Sequence, residues 1–499
     1  MSALHRWSAL AVLCLPVLLI SIDMTVLGIA VPALSASLRP SSAQLLWIVD
    51  LYSFLVAGLL VLMGSLGDRI GRRRLLLIGA LAFGVASILA AFAPTAAALI
   101  AARALLGLGG ATLMPSTLGL LRTIFTDRGE RRTAVAIWAA GFSAGAVLGP
   151  ILGGLLLEHY WWGSVFLINV PVMVVFVIAG RALLPEARDP APGPFDLISA
   201  LLSIAGLLAV VYALKEGAHH LSSSVLVIAV VGVILLWLFV RRQQRLAQPM
   251  LDLRLFLEPG FSPAILTNVA SVFALMGATF FLPQYLQLVL GMGPARAGLW
   301  LMPLAVATVV ASLASPSVAR WVPVRVVVAS GMGLTSLGLA LGTQLHVDSS
   351  IVIFAVVSVL VGLGAGFAET LTNDVILTAA PPARASAAAA ISETGYELGA
   401  ALGTAVLGTL GLSVYAHRLG PVPGVSSADL DLARATLGAA HEVAARLSDE
   451  SRAAFLRSSA AAFTDGLDVV LVTGAVVTLA ASLMAARLLV TRDEHTDPK

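Results

Sequence analysis

The chain has 499 residues, 59% hydrophobic and only 11% charged, with a formal net charge of +3. A soluble globular domain carries roughly 25% charge, so this composition, with a mean hydropathy of +0.97, excludes a soluble enzyme and specifies a polytopic membrane protein. The single cysteine, Cys14, excludes an intramolecular disulfide and a cysteine metal site.

Taken in order, apolar runs long enough to cross a hydrocarbon layer of about 30 Å recur along the whole chain. They predict fourteen helices, over 8–31, 45–67, 75–93, 97–122, 132–157, 164–184, 196–214, 223–240, 262–290, 296–319, 324–344, 351–379, 385–415 and 467–490. The first run is too long for a signal-peptide core and contains Asp23, so it reads as a retained helix. Most basic residues fall in turns on the N-terminal side of this alternation, which places both termini in the cytoplasm. Lys215 is assigned to an outer connection on this count. The pI near 9.3 therefore reports topology, and no nucleic-acid partner is expected. Two connections are long: 241–260 on the inner side and 416–466 on the outer side, the latter with charge at helical spacing that predicts an external helical hairpin.

Charges inside the spans are costly and therefore informative. Asp23 lies near the middle of the first helix, Asp50 near the outer end of the second, Arg103 in the fourth, and Glu369 and Asp374 in the twelfth. The thirteenth carries Glu393 and Glu397 four residues apart, hence on one face, where their charges repel unless a proton or cation sits between them. Glu369 and Asp374 are weaker candidates, and Asp374 can simply cap a helix end. Tyr52, Tyr396 and Trp138 could stack on a planar cation or pack as ordinary aromatics. The histidines, among them His219, His220 and His495, fall at the termini or in connections, so buried proton chemistry has to use carboxylates. No nucleotide-binding loop and no metal-ligand pattern is present, so neither cofactor nor metal is expected and an embedded enzyme is disfavoured.

Several motifs carry a resemblance. GSLGDRIGRRR at 64–74, RALLGLGG at 103–110, GAVLGPILGG at 145–154 and DMTVLGIAVP at 23–32 are similar to the motifs of the major facilitator superfamily, and within it to the fourteen-helix drug:proton antiporters (DHA2). WIVDLYS at 47–53 and ISETGYELG at 391–399 narrow the resemblance to multidrug exporters of the QacA, SmvA and LfrA type. It implies an all-α fold with two six-helix halves, 1–190 and 261–499, separated by two linker helices in 191–260. It implies a conformational latch at Asp68, Arg69 and Arg72 and an antiporter helix built on Gly145, Gly149, Pro150, Gly153 and Gly154. Proton coupling falls to Asp23, Arg103 and Asp50, and substrate binding to Glu393, Glu397, Asp50, Tyr52, Tyr396 and Trp138. The implied function is proton-coupled export of lipophilic organic cations, such as quaternary ammonium compounds and ethidium, across the bacterial plasma membrane by a multi-pass monomer. The alternative is a dedicated exporter or importer of a single metabolite, antibiotic or amine.

Overall fold

A computed structural model describes residues 2–188, 195–217, 222–247, 249–380 and 384–489. His219, His220, His495 and the expected boundary at 190/191 lie outside the described residues. Among the described residues, fourteen helices are long and apolar enough to span a membrane. They are α1 (Ala3–Leu38), α2 (Ser42–Ile70), α3 (Arg72–Ala91), α4 (Ala96–Ile124), α5 (Gly129–His159), α6 (Ser164–Leu183) and α7 (Leu197–Gly217). There follow α8 (Ser223–Arg245), α9 (Phe261–Val289), α10 (Pro294–Val318), α11 (Val324–Gly342), α12 (Ile351–Ala379), α13 (Ala387–Arg418) and α14 (Asp449–Leu488). An even number of spans returns the chain to the side it started from, so both termini lie at one end of the bundle, here the terminal end.

The helices obey sequence-local rules at their ends. Ser41 caps α2 reciprocally with Gln44, and Thr95 and Ser222 cap α4 and α8 through their hydroxyls. Packing then repeats. In α1–α6, α1 lies along α5, α2 along α4, and α3 along α4 and α6. In α9–α14, α9 lies along α13, α10 along α12, and α11 along α12 and α14. The halves meet through the pairs α2/α13 and α5/α10 and through α1/α9. The linker pair α7/α8 packs on itself and, through α7, against α2 and α13. Its ends on the side of the termini are tied by Asp196, which caps α7 through Ser199 and accepts from Arg242 of α8 at 3.0 Å. On the bundle's outside Leu81, Ile178, Val227 and Val476 stay exposed, as a lipid-facing surface requires.

Two spans contain a π-helical turn, Tyr285–Val289 in α9 and Gly403–Leu407 in α13. Three expectations change. Lys215 is not in a connection but inside α7, at 1% exposure. The helix expected at 467–490 begins at Asp449, so the 416–466 stretch holds the end of α13, the first turns of α14 and two short helices, Ser427–Ala435 and Leu437–Ala444. The long connection after α8 contains a short 3₁₀ turn, Leu253–Leu257.

Contacts between the halves gather at the end opposite the termini. Arg39 of α1 pairs with Glu442, Ser42 Oγ donates to the Ala435 carbonyl at 2.7 Å, and Gln287 Nε2 donates to the Ile29 carbonyl at 3.0 Å. The Ala295 amide donates to Glu158 Oε2 at 3.2 Å. This end is shut.

Candidate functional site

Between the halves lies a cavity of about 280 Å³. From the N-terminal half Asp50, Tyr52, Arg103 and Phe142 face it, and from the C-terminal half Glu369 and Tyr396. The ring of Phe142 on α5 meets the ring of Tyr396 on α13 edge-on, 6.4 Å between centroids, so one aromatic pair spans the two halves.

The N-terminal wall carries two buried ion pairs. Arg103 Nη1 donates to Asp23 Oδ2 at 2.7 Å, with both side chains at most 2% exposed. The guanidinium also donates to the Ile48 carbonyl at 2.9 Å and lies 5.0 Å from the centroid of Tyr52. Asp23 thus has a partner, which is what an acid in a span requires, while its Oδ1 is buried without a hydrogen bond among the described residues. Asp50, expected as a free binding acid, is paired instead. Lys215 Nζ lies 2.8 Å from its Oδ2 and 3.0 Å from its Oδ1. Lys215 is the functional residue that sequence reasoning missed. Its signal was present: the chain has two lysines, Lys215 and Lys499, and a buried Asp50 demands a cation.

The C-terminal wall is acidic. Glu369 faces the cavity and accepts from Ser271 Oγ at 3.1 Å. Tyr396, Ala400 and Thr404 line the cavity along one stripe of α13. At about 100° per residue, Glu393 falls on that stripe one turn nearer the terminal end, outside the cavity lining. It is half-buried. Glu397 is buried with its carboxyl beside Ser53 of α2 in the opposite half, and its Oε2 has no partner among the described residues. Neither glutamate lines the cavity itself. Arg384, the nearest basic candidate in sequence, pairs with Asp252 at 3.4 Å. Asp374 is exposed near the end of α12, away from the cavity, and Trp138 is packed on the core with its indole N–H unsatisfied among the described residues.

The remaining motif residues stand at the α2/α3 junction and along α5. Asp68 and Arg72 form a tight pair across one helical turn at the α2/α3 junction, Arg72 Nε donating at 2.8 Å. Arg69 lies 5.9 Å from the ring of Phe195 at the linker entrance. Gly71 between them adopts φ +107°, which favours glycine. On α5, a Cβ at Gly145 would come 2.5 Å from the Leu18 carbonyl oxygen of α1, and one at Gly154 would come 2.6 Å from the Pro294 carbonyl oxygen of α10. The glycine face therefore allows α5 to touch α1 and the other half at once.

Residues 13–404 match the sequence profile of the Major Facilitator Superfamily. The chain belongs to that superfamily. The transporter is similar to the multidrug efflux pump LfrA of Mycolicibacterium smegmatis, 46% identical over 96% of this chain and 95% of that one. It is 36% identical to the methyl viologen resistance protein SmvA of Salmonella typhimurium, over 92% and 93% of the two chains. To the tetracenomycin C resistance and export protein of Streptomyces glaucescens it is 34% identical over 83% and 77%. Its fold is similar to a bacterial homologue of the lysosomal transporter Spinster in an inward-facing, unoccupied conformation, with TM-score 0.69, 16% identity and 98% of each chain covered. The protein is a multi-pass transporter of the bacterial plasma membrane and not an enzyme.

Proposed function

We propose that the transporter exports lipophilic organic cations in exchange for protons. The observation that carries this reading is the distribution of charge around an aromatic cavity. Arg103 and Lys215 are committed to Asp23 and Asp50, whereas Glu369, Glu393 and Glu397 have no basic partner among the described residues. A cation entering from the mouth meets Glu393 first, then Tyr396 and Phe142, whose ring faces suit a planar cation, and then Glu369 and Glu397. Two acids within reach suit a dication, and methyl viologen, which names the resistance conferred by one relative, is a planar dication.

Coupling follows from competition at the same groups. Deprotonated carboxylates hold the drug; protonation removes the attraction and releases it once the cavity opens at the opposite end. With the termini cytoplasmic, as the positive-inside distribution indicates, loading is from the cytoplasm and release is outward. Asp23 and Arg103 act at the proton step. Asp68, Arg69 and Arg72 serve as the latch at the cytoplasmic end, and Gly145, Gly149, Pro150, Gly153 and Gly154 as the surface on which the halves rock. The transporter works as a monomer.

The test is ethidium efflux from proteoliposomes under an imposed pH gradient. Efflux that stops on adding an uncoupler, and that competes with unrelated lipophilic cations, is the expected result. Transport of one narrow ligand with no response to other cations would instead favour a dedicated metabolite or antibiotic exporter, the reading favoured by likeness to the tetracenomycin C exporter.

A further inference from the structure

Asp50 borders the cavity, yet its carboxylate is already occupied. The occupant comes from outside both six-helix halves. Lys215 belongs to α7, and its ammonium lies between Asp50 and the face of Trp47, 3.8 Å from the ring centroid. The two side chains are at most 1% exposed. A carboxylate plus an indole face is the set of groups that binds an alkylammonium ion, so this corner of the cavity wall is a small cation site filled by a cation of the protein's own.

The helix that delivers this cation bridges the halves. Val211, one turn before Lys215, sits in a cluster with Phe54 of α2 and with Ala401 and Ala405 of α13, joined by Leu207 and Leu208 of α7. Ala405 belongs to the π-helical turn that follows the cavity-lining stretch of α13. A relative movement of α2 and α13 therefore cannot leave α7 seated on both, and a shift of α7 draws Lys215 along with it. Arg103, by contrast, is carried by α4 within one half and holds the carbonyls of Ile48 and Val49 as well as Asp23, so nothing comparable pulls it away.

We infer that Lys215 is a tethered competitor: it fills the Asp50–Trp47 cation site while the end opposite the termini is shut, and it must leave before Asp50 can take a substrate cation or a proton. The linker helices thereby set affinity at the closed end of the cavity. Lys215 is a positioning and specificity residue acting through Asp50. The inference rests on the cavity being a cation site.

The experiment uses the full-length purified protein and tetraphenylphosphonium as the probe. Lys215→Met leaves Asp50 charged with no internal cation, so binding tightens by about tenfold, since an uncompensated buried charge gains most from a new partner. Lys215→Arg restores the wild-type dissociation constant, and adding Asp50→Asn to Lys215→Met abolishes the tightening. If Lys215 serves only to neutralise Asp50 for folding, Lys215→Met lowers the melting temperature without tightening binding, and the inference fails. A second readout needs no variant. Reductive methylation of Lys215 in the wild-type chain, read by mass spectrometry, rises several-fold when the probe saturates the protein; unchanged protection would overturn the displacement. Wild-type protein that does not bind the probe at all would remove the cation reading and this inference with it, a failure distinct from probe binding that ignores Lys215.

Discussion

Glu369, Glu393 and Glu397 are chemically alike, but the fold gives them different work. Glu369 faces the cavity and is held by one hydroxyl, Glu397 is buried beside Ser53 of the other half, and Glu393 is half-buried one turn nearer the terminal end. A unit charge about 5 Å from a drug cation, at an effective dielectric of about 20, contributes roughly 3 kcal/mol before desolvation is subtracted. Glu369→Gln and Glu397→Gln should therefore each raise KM for a bis-cationic substrate about tenfold or more, with a smaller rise for a monocation. Glu393→Gln should mainly slow loading. Equal losses for mono- and dications in the first two variants would contradict this division. Sequence alone ranks Glu369 below the pair on α13, because depth along a helix can be read from hydropathy whereas the face that meets a cavity is decided by neighbours. Lys215 escaped for a related reason. It lies two residues before a helix end followed by polar residues, where hydropathy reads as a boundary, and only the acid waiting on α2 reveals that it is inside.

At the scale of elements, α5 shows how a motif becomes a mechanical surface. Its glycine face is packed against α1 so closely that a Cβ at Gly145 falls 2.7 Å from Cβ of Ser21 as well as against the Leu18 carbonyl. Gly145→Val should force α1 and α5 apart, cost about 1–3 kcal/mol, and slow efflux more than it weakens probe binding, since the cavity groups are untouched. Thermal melting and a binding isotherm measured on the same preparation separate these effects. The number and order of the spans were legible because bilayer thickness fixes their length, and the motif turns were legible because each needs particular residue types. The π-helical turn in α13 was not, because it comes from how Gly403 fits against the Phe273 backbone.

The two short helices before α14 add a pH-sensitive element. His441, in Leu437–Ala444, is bound to the Leu288 carbonyl at 3.0 Å, and burial pushes its proton affinity below that of an ordinary histidine despite that bond. The unfolded or undocked helix therefore takes up protons more readily than the docked one. The stability His441 lends to docking is full above the ordinary histidine value of about 6.5 and falls as the pH drops below it. Hydrogen exchange over 427–444, corrected for intrinsic rates, should be faster at pH 5.5 than at pH 7.5, and His441→Asn should flatten the difference.

For the whole molecule, the asymmetry of contacts defines the state. Arg39 with Glu442, Ser42 with Ala435, Gln287 with Ile29 and Glu158 with Ala295 all close the end away from the termini, and the cavity acid Glu369 lies on the other side of this seal. Alternating access then requires these contacts to part. No single one of them is strong, since exposed ion pairs contribute about 1 kcal/mol or less, so the seal can open within a transport cycle. A covalent link across it cannot. A Cβ at Gly438 would lie 2.7 Å from Cβ of Ser35, and a small relaxation reaches the roughly 3.8 Å that a disulfide needs. In a Cys14→Ser background, Ser35→Cys with Gly438→Cys should cross-link on oxidation, halt efflux, and leave probe binding from the terminal side intact, with reductant restoring transport. Continued efflux by fully cross-linked protein would show that the two short helices ride with α1 and that the seal lies deeper, at α5 and α10.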